Sequence, residues 1–365
     1  MERLYPQLIL DALQTVRYPG NGKNIVELGM VADDIRIDGD KVSFSLQFQK
    51  STDPFMRSLM KSAEAAIHTR ISPEVQVTVN TIVPQPKAEK APVLPGVKNI
   101  VGVSSGKGGV GKSTVTSNLA VALAREGYKV GLLDADIFGP SMPKMFGLED
   151  AELYMHEVDG RQLIIPAERY GVKLLSIGFL VDRNAPVLWR GSMASNALRQ
   201  LIEEADWGEL DYFLIDMPPG TSDIHLTLVQ TLAMTGVVVV STPQEVALAD
   251  ARKGIAMFTS DKVNVPVLGL VENMAWFTPE QHPDERYYIF GRDGGVKLAK
   301  ELGIRLLAQI PLVGSICDKA DGGEPIAMSD TITGHAFMHL AHEVIDAVDE
   351  RNRELPPSVK VDVKH

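Results

Sequence analysis

Short apolar-rich runs separated by longer amphipathic stretches dominate the chain from residue 97 onward. The runs at 99–104, 129–133, 172–177, 212–215, 236–241, 265–271 and 305–310 suit strands buried on both faces of a sheet. Between them, 113–125, 193–204 and 244–259 read as helices. A last helix carries Phe337, Leu340, Ala341, Val344, Ile345 and Val348 as a one-sided stripe, and the polar chain after Glu350 predicts a frayed tail. Strands interleaved with helices predict an α/β fold, its mostly parallel sheet covered by helices on both faces.

Residues 1–84 follow another pattern. A helix over 2–17 precedes an alternating strand over 42–48. Asp53-Pro54 then starts a helix reaching about Arg70, and 75–79 closes the region as a strand. This is a small α+β unit. Between the two regions, Pro84, Pro86, Pro92 and Pro95 punctuate a stretch with no apolar periodicity, which predicts a semi-extended linker. The expected organisation is an α+β domain at 1–84, a linker at 85–96, an α/β domain at 97–350 and a polar tail at 351–365.

Composition adds exclusions. Apolar residues at 45% and charged residues at 23% are ordinary for a globular protein. The 36 basic against 47 acidic side chains give −11, which argues against nucleic acid or an anionic membrane as bulk partner. Runs such as Val237–Val240 are far too short to span a bilayer. The opening Met1-Glu2-Arg3-Leu4-Tyr5-Pro6 has no basic segment followed by an apolar one, so no secretory leader is expected and a cytoplasmic location is the default. A single cysteine, Cys317, excludes an intramolecular disulfide.

One segment carries specific chemistry. Gly106, Lys107, Gly108, Gly109, Val110, Gly111, Lys112, Ser113 and Thr114 fit the phosphate-binding pattern G-x-x-x-x-G-K-[ST], with a second lysine after the first glycine. A strand precedes it and a helix follows, as the motif requires. Glycines allow close backbone approach to a triphosphate, and the loop N–H groups and helix N-terminus face the anion. Lys112 is expected on the β- and γ-phosphates and Ser113 on Mg²⁺.

Carboxylates end two strands. Asp134 and Asp136 close the run at 129–133, where the ends of parallel strands face a ligand crevice. Asp136 is the candidate to orient or deprotonate the attacking water, with turn capping the competing role for either aspartate. Asp216 ends an apolar strand before Met217-Pro218-Pro219-Gly220-Thr221-Ser222-Asp223 and suits a Mg²⁺ role, directly or through water. Gly220 would let that segment move with the γ-phosphate, and Asp223 would cap the next helix. His335, His339 and His342 share one helical face, a possible metal arrangement on an otherwise core-packing helix.

Together with Asp134-Ala135-Asp136-Ile137-Phe138-Gly139-Pro140-Ser141 and Val271-Glu272-Asn273-Met274, these motifs resemble the Mrp/ApbC family over residues 97 to about 350. That family comprises deviant-Walker P-loop ATPases described as iron–sulfur cluster carriers, related to MinD, ParA and the nitrogenase iron protein. Residues 1–84, with Gly22-Lys23-Asn24-Ile25-Val26-Glu27-Leu28-Gly29-Met30-Val31, resemble the MIP18-like domain often fused in front. The resemblance implies slow ATP hydrolysis and a homodimer with nucleotide near the subunit interface. It also implies Lys107 reaching the partner's phosphates, Asn273 touching adenine, and delivery of a cluster to apo iron–sulfur proteins.

One departure bears on the cargo. The family's carriers use a Cys-x-x-Cys pair after the Glu-Asn-Met segment, giving a dimer four thiolates for a [4Fe–4S] cluster. The corresponding residues 275–286 contain no cysteine, so a dimer offers only two Cys317 thiols. Cys317 reads as a small buried residue or as a cluster ligand, and His282 as a solvated loop residue or an unusual ligand. Two readings follow. One is an ATP-hydrolysing cluster carrier; the other is a nucleotide-switched regulatory or scaffold ATPase that has lost cluster binding. A MinD-like membrane role is opposed by the acidic terminal helix with Glu343, Asp346, Asp349 and Glu350.

Overall fold

The computed structural model describes residues 4–19, 22–48, 53–82, 93–180, 191–279, 281–282 and 284–361. It divides into two compact units, 1–90 and 91–365. In the first, α1 (Pro6–Leu13), β1 (Arg36–Asp38), β2 (Lys41–Gln47), α2 (Met56–Arg70) and β3 (Gln76–Ile82) form a three-stranded sheet with two helices on it. Phe44 and Leu46 of β2 pack with Ile9 and Leu13 of α1 and with Leu59, Ala63 and Ile67 of α2. The alternation of β2 supplies the core face, and the i, i+4, i+8 spacing of α2 meets it.

The second unit begins with β4 (Val97–Ser105), α3 (Lys112–Arg125), β5 (Val130–Asp134) and the single turn α4 (Met142–Met145). A hairpin of β6 (Met155–Val158) and β7 (Arg161–Ile164) follows, then β8 (Ala167–Arg169), β9 (Val172–Ser176) and α5 (Gly191–Glu203). The chain continues through β10 (Leu210–Asp216), α6 (Asp223–Thr231), β11 (Gly236–Ser241), α7 (Glu245–Thr259), β12 (Val267–Phe277) and α8 (Gly294–Leu302). It ends with β13 (Leu306–Leu312), α9 (Gly314–Asp321) and α10 (Ile332–Glu354).

Eight strands form one sheet in the order β13-β12-β11-β4-β10-β5-β9-β8. All pairings are parallel except that of β8 with β9. Side-chain parity sorts the two faces. Val101, Val103, Leu132 and Leu214 pack under α3 and α10, whereas Ile100, Leu133, Phe213 and Ile215 pack under α5 and α6. Central β4 sends its chain to one side through β5, and β11 lies on the other. The carboxyl ends of β4, β5 and β10 therefore open at the point where strand order reverses, the usual ligand crevice of such sheets.

The mostly parallel sheet agrees with expectation, with β8 as its one antiparallel edge strand. Several other expectations need correction. The β6–β7 hairpin was not anticipated, although Asp159-Gly160, at φ 51° and 75°, is a two-residue turn that supports it. The first helix stops at Leu13 rather than 17, since Arg17 instead bridges Asn24. Strand β12 runs six residues past 271, accommodated by a register shift and by Met274 at φ 54°. Helix α10 continues to Glu354, and among the described residues beyond it Val361 N–H donates to the Val229 carbonyl of α6. Residues 85–92 of the linker lie outside the described residues.

Candidate nucleotide site

Strand β4 delivers the chain to the 106–111 loop, and α3 starts at Lys112. Two of its glycines are required by close approach. A Cβ at Gly106 would collide with the Asp250 and Ala251 backbone of α7, and one at Gly111 (φ 78°) would strike the Asn273 amide. That amide is a brace: Asn273 Nδ2 donates to the Val110 carbonyl at 2.8 Å. Gly108 and Gly109 are different, with nothing within 4 Å of where a Cβ would stand. The outer face of the loop is an open cradle of backbone, a fit for phosphate.

Behind the cradle lies a buried charge cluster. Lys112 Nζ sits 2.8 Å from Asp216 Oδ2 and 3.7 Å from Asp136 Oδ2. Ser113 Oγ donates to Asp216 Oδ2 at 2.6 Å, and Thr116 Oγ1 donates to Asp216 Oδ1 at 2.7 Å. A hydroxyl and a carboxylate oxygen thus meet beside the phosphate cradle, a donor set that suits hard Mg²⁺. Among the described residues no three His, Cys, Asp or Glu side chains group to hold a metal, so water and phosphate oxygens would complete that shell.

The two aspartates at the end of β5 do different work. Asp134 is fully buried and faces the following loop rather than the crevice. It accepts from Asp136 N at 3.2 Å, Met142 N at 3.2 Å and Ser176 Oγ at 2.9 Å. Burial, helped by the nearby Asp216 carboxylate, pushes its carboxyl up to about 7. Asp136 remains partly open toward Lys112; burial raises its carboxyl while Lys112 opposes the rise. The shared expectation for the pair therefore divides: Asp134 holds the loop, and Asp136 lies beside Lys112.

The segment after Asp216 is anchored at both ends. Gly220 N–H donates to the Ser105 carbonyl at 2.8 Å, tying it to the strand that enters the phosphate loop. The cap of α6 is Ser222, not Asp223, which occupies the first turn. His225 completes the capping box, its Nδ1 accepting from Ser222 N at 3.1 Å. It is fully buried, and burial drives its imidazole down to about 4.

Other candidates scatter. Thr114 sits in the first turn of α3, where its carbonyl accepts from Asn118 Nδ2. Lys107 is partly exposed and makes no ion pair among the described residues. Cys317 is exposed on α9, which overturns the buried reading; its Sγ lies 3.8 Å from Asp321 Oδ2. His335 pairs with Asp330 at 2.7 Å and His342 with Glu126 at 3.2 Å, so neighbouring carboxylates take up two rings of the proposed trio. His282 lies exposed, 3.6 Å from Glu285. Where the cysteine pair would sit, Arg286 stacks over Trp276 at 4.3 Å and Phe277 bridges Tyr287.

Sequence reasoning missed four participants: Thr116, Ser176, His225 and Glu272. Buried Glu272 accepts from Gly295 N, from Val296 N at 3.3 Å and from Gln309 Nε2 at 3.1 Å, clamping the start of α8 against β12. Its place beside Asn273 inside an apolar strand was the available signal, because a buried acid needs partners.

A family profile described as NUBPL iron-transfer P-loop NTPase matches residues 96–345. The chain belongs to that family. A second profile, described as iron-sulfur cluster assembly protein, matches residues 6–80. A Synechocystis protein named iron-sulfur cluster carrier protein is 43% identical over 344 residues, covering 93% of this chain and 97% of its own. A Pseudomonas fragi protein of the same name is 50% identical over 258 residues, 70% of this chain and 88% of its own. Among solved structures, an Archaeoglobus fulgidus nucleotide-binding protein in complex with ADP superposes with a TM-score of 0.55. It is 40% identical and covers 64% of this chain and 89% of its own. This family member thus joins a P-loop NTPase unit to a small assembly-type unit in one chain.

Proposed function

We propose that this chain binds and hydrolyses ATP as a nucleotide-linked homodimer in the cytoplasm, carrying an iron–sulfur cluster to apo iron–sulfur proteins. One observation carries the reading: Lys112, Ser113 and Asp216 meet within hydrogen-bonding distance beside an open glycine cradle, in a chain whose relatives are named carriers.

In this reading the N–H groups from Gly108 to Thr114 take the phosphates, and Lys112 leaves Asp216 for the β- and γ-oxygens. Ser113 and Asp216 would hold Mg²⁺, Asp216 directly or through water, and the ion would neutralise charge on the phosphates. Asp136, raised by burial and lying beside Lys112, orients the attacking water and takes its proton. Lys107, without an ion pair among the described residues, reaches the partner's phosphates, and Asn273 contacts adenine while bracing Val110.

A second reading, a nucleotide-switched scaffold without cargo, is favoured by the thiol count. With one cysteine per chain and an aromatic–arginine loop after β12, the residues present do not supply the four thiolates of a bridging [4Fe–4S] site. Anaerobic reconstitution with iron and sulfide, with and without ATP, separates the two. A stoichiometric cluster that is lost in Cys317→Ser supports the carrier with a non-standard site. Intact ATP hydrolysis with no bound iron supports the scaffold.

A further inference from the structure

The Asp216 carboxylate is fully buried, and its two oxygens are served unequally. Oδ2 receives both Lys112 Nζ at 2.8 Å and Ser113 Oγ at 2.6 Å. Oδ1 receives Thr116 Oγ1 at 2.7 Å and no other donor among the described residues. The Oδ2 donors both have other duties once nucleotide and metal bind, since the lysine goes to phosphate and the serine hydroxyl to the ion. Thr116 has none. It lies one turn further along α3 with 0% exposure, out of reach of any ligand.

We propose that Thr116 is the positioning residue for the metal carboxylate: by holding Oδ1 it presents Oδ2 to the ion throughout the nucleotide cycle. The inference rests on the assignment of Asp216 to Mg²⁺ above. Its hydroxyl has a single proton and a choice of acceptors, because the Lys112 carbonyl one turn back is 2.9 Å away. The ionised carboxylate is the stronger acceptor and takes the proton, while the carbonyl is the ordinary fallback of a helical threonine. Without that bond Oδ1 is a buried anionic oxygen lacking a donor. The carboxylate then turns to recruit Lys112 or Ser113 with either oxygen, in competition with phosphate and metal.

Thr116→Val keeps the side-chain shape and removes the donor; Thr116→Ser keeps the donor and removes the methyl. Nucleotide affinity is measured by titration calorimetry with Mg²⁺ and with a chelator in its place. The Mg²⁺-dependent gain in affinity falls about tenfold in Thr116→Val, as for loss of an outer partner of a metal ligand. Chelator-condition affinity stays within about twofold, and Thr116→Ser restores the gain. An unchanged gain in Thr116→Val overturns the proposal, as does equal loss with and without Mg²⁺ or failure of serine to rescue. Should the valine variant not fold, Thr116→Ala is read against Thr116→Ser in the same way. A parent protein with no Mg²⁺-dependent gain refutes the magnesium assignment itself, an outcome separable from any variant's behaviour.

Discussion

The phosphate loop and the loop after β12 are built by opposite means. At the first, Lys112, Asp134 and Asp216 are buried, and each carboxylate is held from another element, Asp216 by α3 and Asp134 by Ser176 of β9. At the second, Trp276, Phe277, Arg286 and Tyr287 interact along the surface by ring contacts and by one isolated bridge. A change in the buried cluster strands a charge, whereas a change in the aromatic loop removes a contact that water partly replaces. The phosphate-loop cluster is thus tightly specified by the fold, and the surface of the loop after β12 is not.

The largest effect should come from the centre of the cluster. Lys112→Ala is expected to weaken nucleotide binding about 100-fold, the loss of a charged hydrogen bond to phosphate. Calorimetry showing affinity within a few-fold of the parent would break the contrast. Lys107→Ala should bind nucleotide normally and lose only turnover that depends on the dimer. Asp136→Asn is expected to bind ATP within about threefold and to hydrolyse it about 100-fold more slowly, the typical contribution of a positioned base. Normal turnover would refute its role.

Protonation tests the burial argument. His225 has a native imidazole pushed down to about 4, below the ordinary value of 6.5, so between those values the unfolded chain binds the extra proton. Stability is therefore held at neutral pH and lost as pH falls from about 6.5 toward 4, by on the order of 1–3 kcal/mol. Denaturant melts across that range should show the slope in the parent and a smaller one in His225→Gln. The smallest effect belongs to the surface: Arg286→Ala should lower stability by roughly 0.5–1 kcal/mol and leave nucleotide affinity unchanged. A large affinity loss there would join the two loops into one site.

The glycine-rich loop was legible because its signal is local: glycines, lysine and serine occupy fixed positions within nine residues, flanked by strand and helix. Residues 236–241 were legible as a strand because a run of four valines has few other uses. The hairpin at 155–164 was missed even though Asp159-Gly160 announced its turn, because its strands are too short and exposed to show a period. The division of labour between Asp134 and Asp136 was not legible. The residues are two apart, and what separates them is a hydroxyl from Ser176 on the neighbouring strand.

Sequence alone determined that this chain holds a phosphate-binding loop on an α/β sheet, and that one cysteine cannot furnish a pair. Those facts depend on residue type and spacing, which no packing can alter. Tertiary structure decided that Asp134 is tied to its loop while Asp136 lies beside Lys112, and that Thr116 holds one oxygen of Asp216. It also placed Asn273 against the loop 163 residues away and left Cys317 exposed. Such outcomes depend on which atoms meet across the sheet, and hydrogen bonds of ångström range between distant segments leave no period in the chain that forms them.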